Sequence, residues 1–344
     1  MKRIAVVGAG LIGQKHIEIV RANAVLDAII DPTVEARELA SKSDTKWFKT
    51  VDDYLKFNHP DGAIIATPNQ LHHRHGAAFI TAGIPTLIEK PLADCSDSAL
   101  KIVELSRESN VAVLVGHHRR HSPFVKAAKT AIESGNIGRL VTVNAQFWLL
   151  KPDEYFNVVW RKQAGAGPTF INLIHDIDLL RHFCGDITAV QASESHSVRG
   201  YEVEDTSAVI LEFDTGVLGT VSISDTVVAP WSWELTAGEN PAYPKTEMSC
   251  YMLGGTKGSL SVPDLSLWQH PGKQSWWSPI EVTKPSVKSA DPVKEQFLHF
   301  LDVIENNVQP LVSAEEGFRN LQVLDAIKKA ARHGRKQRIC DKPF

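Results

Sequence analysis

The chain has 344 residues, of which 43% are hydrophobic and 22% charged, and a formal net charge of −3 at neutral pH. That length fits two domains better than one core, and the near-neutral balance lacks the basic face of a nucleic-acid binder. No stretch is long and apolar enough to span a membrane, and four scattered cysteines with no C-x-x-C point to neither a zinc knot nor a disulfide framework, which fits a reducing cytoplasm.

The first third alternates strand and helix. The opening "MKRIAVVGAGLIG" has charge before an apolar run, but the run is short and glycine-broken, so it reads as a strand rather than a signal peptide. "RIAVVG", "AVLDAIID", "TKWFKT", "DGAIIAT", "IPTLIEK" and "VAVLVGHH" are strand candidates. Between them "LIGQKHIEIVRAN", "TVEARELASKS", "VDDYLKFN", "NQLHHRHGAAFITAG" and "SDSALKIVELSRESN" have helical spacing. Continuous apolar strands between helices predict a parallel sheet covered on both faces. The expectation is an α/β chain whose N-terminal domain, residues 1–120, is a doubly wound Rossmann sheet.

Residues 121–344 have a different texture. After the helix "SPFVKAAKTAIESGNIG" come "RLVTVNAQFWLL", "ITAVQASESHSV", "TSAVILEF", "VLGTVSISDT", "EMSCYMLGG", "GSLSVP" and "LSLWQH", strands joined by turns. They predict an α+β domain with a large, mostly antiparallel open sheet. The segment 229–245, rich in Trp, Pro and Tyr, is expected to be a long irregular loop over a site. "DPVKEQFLHFLDVIENN" and "SAEEGFRNLQVLDAIKKAARHG" are helices, the second with Ser313 and Glu316 at capping-box spacing. The basic tail "KKAARHGRKQR" suits a helix C-terminus, where cations meet the negative dipole end.

"GAGLIG" sets Gly8, Gly10 and Gly13 at G-x-G-x-x-G spacing, leaving a strand and opening a helix. Gly8 permits the tight turn, Gly10 lets backbone approach a pyrophosphate, and Gly13 lets helix and strand pack closely. Phosphates would meet the N–H groups and positive dipole end of that helix. Strand two ends in Asp31, eighteen residues after Gly13. An acid there bonds ribose hydroxyls and repels a 2′-phosphate, which favours NAD over NADP. The alternative for Asp31 is a helix cap before Pro32.

Ligands of a doubly wound sheet lie outside the carboxyl ends of its strands. Those ends carry Thr67, Pro68 and Asn69, then Glu89, Lys90 and Pro91, then Gly116, His117, His118 and Arg119. Lys90 either stabilises a substrate alkoxide or forms a surface pair with Glu89. The helix "INLIHDIDLLRH" is apolar yet carries Asn172, His175, Asp176, Asp178, Arg181 and His182. On a wheel Asn172, His175, Asp176, Leu179 and His182 share an arc opposite Leu173, Ile177 and Leu180. One arc is expected to meet the core and the other to line a pocket. "HHRH" and "HHRRH" raise a metal site, but there is no H-E-x-x-H, and we assign no metal.

The order of motifs resembles the glucose–fructose oxidoreductase / inositol dehydrogenase family of NAD(P)-dependent enzymes. It is carried by "GAGLIG", "ATPNQLHHRHGAAFITAGIPTLIEKPLA", "GHHRRHSPFVKAAKTAIESGNIGRL", "WRKQAGAGPTFINLIHDIDLLRHF", "GGTKGSL" and "SAEEGFRNLQVLDAIKKAARHGR", which together cover nearly the whole chain. The resemblance implies a Rossmann domain, a second domain whose open sheet often mediates oligomers, and polyhydroxylated substrates: sugars, sugar derivatives or cyclitols. It implies a cis Lys90–Pro91 bond and a histidine, matched by His175, directed at the nicotinamide. Many members have an aspartate four residues before that histidine; here the position is Ile171, with Asn172 adjacent.

The expected reaction is hydride transfer to NAD, with His175 as general base, Lys90 stabilising the alkoxide, and Asn172 in an orienting role. We assign to the cofactor Gly8, Gly10, Leu11, Ile12, Gly13, Asp31, Thr67, Pro68, Asn69, His72, Glu89 and Lys90. Substrate contacts are expected from His117, His118, Arg120, Trp160, Arg161 and Asp176. Asp176 and Asp178 are equally open to orienting His175 or pairing with Arg181 or Arg161. The alternatives are a dihydrodiol dehydrogenase, an enzyme whose bound NAD undergoes no net redox change, and a non-catalytic NAD sensor. In the strands at 139–150 and 205–226, Val141, Val143, Ala145 and Phe147 share one face; with few helices to cover the second face, a homodimer or homotetramer through this sheet is expected.

Overall fold

The computed structural model describes residues 1–163 and 165–339. Met1–His121 with Pro292–Leu321 forms one compact unit; Ser122–Asp291 with the chain from Gln322 onward forms the other. In the first unit β1 (Arg3–Val7), β2 (Val25–Ile30), β3 (Lys46–Phe48), β4 (Gly62–Ile65), β5 (Thr86–Ile88) and β6 (Val113–Val115) form a parallel sheet in the order β3-β2-β1-β4-β5-β6. β1 from Ile4 onward and all of β4, β5 and β6 are buried, as their unbroken apolar sequences require. The connecting helices are α1 (Leu11–Asn23), α2 (Val34–Lys42), α3 (Val51–Leu55), α4 (His72–Thr81) and α5 (Ser96–Ser109). Thr33 caps α2 by accepting from Ala36 N, and Thr50 caps α3 by accepting from Asp53 N. Strand order reverses between β1 and β4, so a crevice opens at their carboxyl ends.

The second unit begins with α6 (Pro123–Glu133), capped by Ser122. Its strands are β7 (Leu140–Trp148), β8 (Ile187–Ser195), β9 (Thr206–Phe213), β10 (Leu218–Ser224), β11 (Tyr251–Gly255), β12 (Gly258–Val262), β13 (Leu267–Gln269), β14 (Glu281–Thr283) and β15 (Gln337–Arg338). They form one sheet, β14-β13-β12-β11-β7-β10-β9-β8-β15. All its pairings are antiparallel except β7 with β10. Helices α7 (Pro168–Ile171), α8 (Leu173–Cys184) and α9 (Trp233–Ala237) belong to the same unit.

Several local features differ from the sequence reading. The segment 229–245 contains a short helix, α9, nucleated by Ser232, whose hydroxyl accepts from Leu235 N at 3.3 Å. The edge strands β14 and β15 carry no sequence signal, because three and two residues are too few to show a period. Val143, Ala145 and Phe147 are buried on β7, whereas Val141 is 47% exposed. The register between β7 and β11 steps from Thr142–Gly254 to Leu140–Gly255, which makes Val141 the extra residue of a bulge.

A contiguous division at residue 120 does not describe the contacts. After β14 the chain returns to the first unit through α10 (Pro292–Asn306) and the start of α11 (Ala314–His333). Phe297 and Phe300 of α10 are fully buried in one cluster with Ile4, Val6, Ile29 and Leu114. Val312 and Ser313 run antiparallel beside β6, where Val115 N donates to Val312 O at 2.8 Å. The amphipathic pattern of α10 announces a helix but does not say which sheet it covers. Phe300→Ala should therefore destabilise the first unit by about 3–5 kcal/mol, the usual cost of emptying a large aromatic site. The measurement is a lowered urea midpoint in circular dichroism; an unchanged midpoint would place α10 outside this core.

Candidate active site

A cavity of about 700 Å³ opens at the crevice of the parallel sheet. Gly8, Gly10, Asp31, Thr67 and Pro68 line it, as expected from the motifs. Its shape follows from one close approach. A Cβ on Gly13 would stand 2.1 Å from Gly8 O, so α1 can pack on the turn after β1 only without a side chain there. Gly8 has φ of +93°, a conformation that favours glycine. At Gly10, by contrast, a Cβ would meet nothing within 4 Å. The glycine leaves open a cradle in front of the α1 N-terminus, of the kind that binds a pyrophosphate. Leu11 is 94% exposed beside it.

Asp31 is not the cap of a helix. One carboxylate oxygen accepts from Ala9 N at 2.9 Å; the other accepts from Thr33 N at 2.9 Å and from Thr33 Oγ1 at 2.5 Å. The carboxylate is thus fixed between the glycine turn and the start of α2. The cap of α2 is Thr33. The cavity is also lined by Thr33, Lys49, Thr50, Asp52, Arg74 and His75, which sequence reading missed. Lys49 and Thr50 follow β3, so extending the strand-end rule to that strand would have found them. His75 Nδ1 lies 3.3 Å from Thr67 Oγ1, and burial together with Arg74 holds this imidazole below its ordinary range.

Other assigned residues lie outside the cavity's lining. His72 is 1% exposed, and its Nδ1 and Nε2 lie 2.7 Å from Pro91 O and Thr67 O. It supports the strand ends from beneath. Glu89 is buried with its Oε1 2.8 Å from His16 Nε2, which removes the surface-pair reading of Glu89 and Lys90. Lys90 is half-buried, and the Lys90–Pro91 bond is cis. His117 is buried with Nε2 3.2 Å from Asn320 Nδ2, and Arg120 is buried with Nη2 3.1 Å from Glu316. These contacts engage both side chains within the core. Burial and then the Arg119 charge push His118 down to about 4, so it is neutral at physiological pH. Asn69 sits on the 3-10 turn before α4.

In the second unit, α8 is buried on both arcs from Leu173 to Arg181, not on one alone. The acids find partners there. Tyr251 Oη donates to Asp176 Oδ1, and Arg181 pairs with Asp186 at 2.5 Å. Asp176 is 1% exposed, and the Tyr251 bond ties it to β11. His175 is 7% exposed. Asn172 caps the break between α7 and α8; its Oδ1 is buried and lacks a hydrogen-bond partner among the described residues. Arg161 stacks 4.1 Å from the Tyr155 ring and donates to Tyr155 O, while Trp160 is 52% exposed. Among the described residues no group of three or more His, Cys, Asp or Glu is placed to hold a metal ion, and no helix is long and apolar enough to cross a membrane.

Residues 2–117 match the model of an oxidoreductase family with an NAD-binding Rossmann fold, and residues 125–261 match the GFO/IDH/MocA C-terminal domain. Among curated proteins, 1,5-anhydro-D-fructose reductase of Ensifer adhaerens is 28% identical over 81% of this chain and 80% of its own length. Inositol 2-dehydrogenase 2 of Saccharopolyspora erythraea is 31% identical over 64% of this chain and 66% of its own. Among solved structures, the WlbA dehydrogenase of Bordetella pertussis, in complex with NADH and UDP-GlcNAcA, aligns with a TM-score of 0.78 at 24% identity over 98% of both chains. The two matched domains span well over half of the sequence, and the glycine cradle, the fixed Asp31 and the cavity at the switch point are what such a domain needs; the chain belongs to the GFO/IDH/MocA family of NAD(P)-dependent oxidoreductases.

Proposed function

We propose that the protein is an NAD-dependent dehydrogenase that oxidises a hydroxyl group of a sugar, sugar derivative or cyclitol. The observation that carries this reading is the cavity at the sheet's switch point, with the Asp31 carboxylate fixed at its wall. The relatives named for a reductase of 1,5-anhydro-D-fructose and for inositol dehydrogenation support the substrate class. The α1 N-terminus at Gly10–Ile12 takes the pyrophosphate, and Asp31 takes the adenosine ribose. Asp31 is already satisfied by backbone donors as a carboxylate, so a 2′-phosphate would meet a fixed negative charge.

When bound, the dinucleotide supplies the acceptor for the hydride. His175 takes the proton of the substrate hydroxyl as general base. The Lys90 ammonium stabilises the alkoxide as it forms. In the opposite direction the protonated imidazole returns the proton to the carbonyl oxygen. Asn172 orients the donor set, and Arg161 and Trp160 contact substrate hydroxyls.

The open sheet face supports self-association. Ile210, Leu218, Met252 and Trp268 are all more than a third exposed, although their strand neighbours Val209, Leu211, Tyr251 and Leu253 are buried. A homodimer or homotetramer through this face is expected. Sedimentation at micromolar concentration checks it, and a monomer there rejects it.

A panel of inositols, aldoses, sugar acids and dihydrodiols, read by NADH absorbance, tests the activity. With the best substrate, His175→Ala and Lys90→Ala should each lower kcat by about 10²–10⁴-fold, with little change in NAD⁺ affinity. Near-normal turnover in the His175 variant would return that residue to the helix core. Asp31→Ala should weaken NAD⁺ and narrow its advantage over NADP⁺; tighter binding of NADP⁺ by the wild type rejects the cofactor assignment.

A further inference from the structure

Lys90 stands between two residues that are each gripped by a buried histidine. On one side is Glu89, 7% exposed, whose Oε1 lies 2.8 Å from His16 Nε2 and whose Oε2 accepts from Lys90 N at 3.2 Å. His16 belongs to α1, the helix that leaves the glycine turn, and has no exposed surface. On the other side is Pro91, whose carbonyl oxygen lies 2.7 Å from His72 Nδ1. The same imidazole's Nε2 lies 2.7 Å from Thr67 O; burial holds His72 below its ordinary range, so the neutral ring donates its one N–H to one of these carbonyls and packs against the other, between the Lys90 turn and the end of β4.

The chemistry of Glu89 fits a fixed anchor. Burial raises a carboxyl's pKa, but here the hydrogen bond from His16 and the nearby Lys90 charge prevail, and Glu89 is held below the ordinary range. It is therefore an acceptor at neutral pH, and both His16 and the Lys90 N–H donate to it. Burying a carboxylate and two imidazoles costs desolvation that apolar residues would not incur. A turn that only had to be packed does not need them. These groups spend their hydrogen bonds on the residues before and after Lys90, while Lys90 itself stays half-buried.

We infer that His16 and His72 are positioning residues for Lys90: from α1 and α4 they fix the two residues flanking it and thereby the placement of its ammonium. The inference rests on the proposed role of Lys90. It also ties the lysine to the cofactor, because His16 rides on the helix whose N-terminus would hold the pyrophosphate and His72 braces Thr67 in the cavity wall.

The test is a pair of double-mutant cycles, His16→Ala and His72→Ala, each alone and combined with Lys90→Ala. Turnover is followed with NAD⁺ and the best-used of myo-inositol, glucose and glucuronate. Each single histidine variant should lower kcat by about 10- to 100-fold, the usual cost of a misplaced group. NAD⁺ affinity, measured by calorimetry, should fall by a smaller factor than kcat, since neither imidazole lines the cavity itself. In the Lys90→Ala background the histidine changes should cost nothing further, because the group they place is gone. Multiplicative losses in that background would overturn the inference and make both histidines ordinary packing. Full turnover by Lys90→Ala alone would overturn the reading of Lys90 first, and this one with it. His16→Gln keeps a side-chain N–H donor and should recover most of the kcat lost in His16→Ala; failure to do so counts against the hydrogen bond as carrier. Should an alanine variant not fold, the glutamine variants His16→Gln and His72→Gln enter the same cycle, where a kcat loss that persists at full size without Lys90 is the overturning result.

Discussion

The first unit depends on how closely α1 approaches the end of β1. Gly13 has no room for a Cβ, because Gly8 O would lie 2.1 Å away. That contact fixes the pitch of the helix against the sheet, and three consequences follow. The N-terminus of α1 is brought to the sheet's switch point. Ile17 and Val20 are pressed into the cluster that α10 completes with Phe297 and Phe300. His16, on the same helix, arrives within 2.8 Å of Glu89 at the end of β5. A wider approach would loosen all three together, so a two-residue sequence constraint reaches as far as the lysine turn.

In the second unit the comparable constraint is electrostatic. Helix α8 is buried on nearly every side and still carries polar groups, which need hydrogen-bond or charge partners. Tyr251 serves Asp176 from β11 and packs its ring 5.9 Å from Trp233 of α9. The preceding short helix, α7, is held separately. Thr169 N donates to Glu204 Oε1 at 3.1 Å, and Lys328 bridges Glu204 at 2.7 Å and Glu194 at 3.0 Å. Burial alone would lower the Lys328 pKa, but the two carboxylates outweigh it and hold it above the ordinary range. His175 thus sits on a helix anchored at its entry and along its length, with little freedom to shift.

What was legible in the sequence had a period or a fixed spacing. The α1 boundaries, the parallel strands and the glycine cradle follow from apolar runs and from G-x-G-x-x-G, and Asp31 from its place at a strand end. What was not legible depends on pairings distant in the chain. That His117 lies beside Asn320 and that Arg120 pairs with Glu316, some two hundred residues away, has no local signal. Nor has the Tyr251 bond to Asp176. Nothing local reveals that α10 serves the first sheet, since an amphipathic stripe fits either.

The replacement of the expected aspartate at Ile171 can now be set in its local geometry. The segment is not one helix: α7 ends at Ile171, and α8 begins after Asn172. Position 171 therefore does not lie one regular turn before His175. The backbone instead tightens, with His175 N donating to Asn172 O at 3.1 Å, a three-residue step. Asn172 is the residue at the junction, and its Oδ1 is buried without a hydrogen bond among the described residues. Such an atom costs about 1–3 kcal/mol of desolvation, which a purely structural junction would avoid with an apolar side chain. An amide oxygen kept at that cost, three residues from His175, is an acceptor that the apolar side chain of Ile171 does not offer.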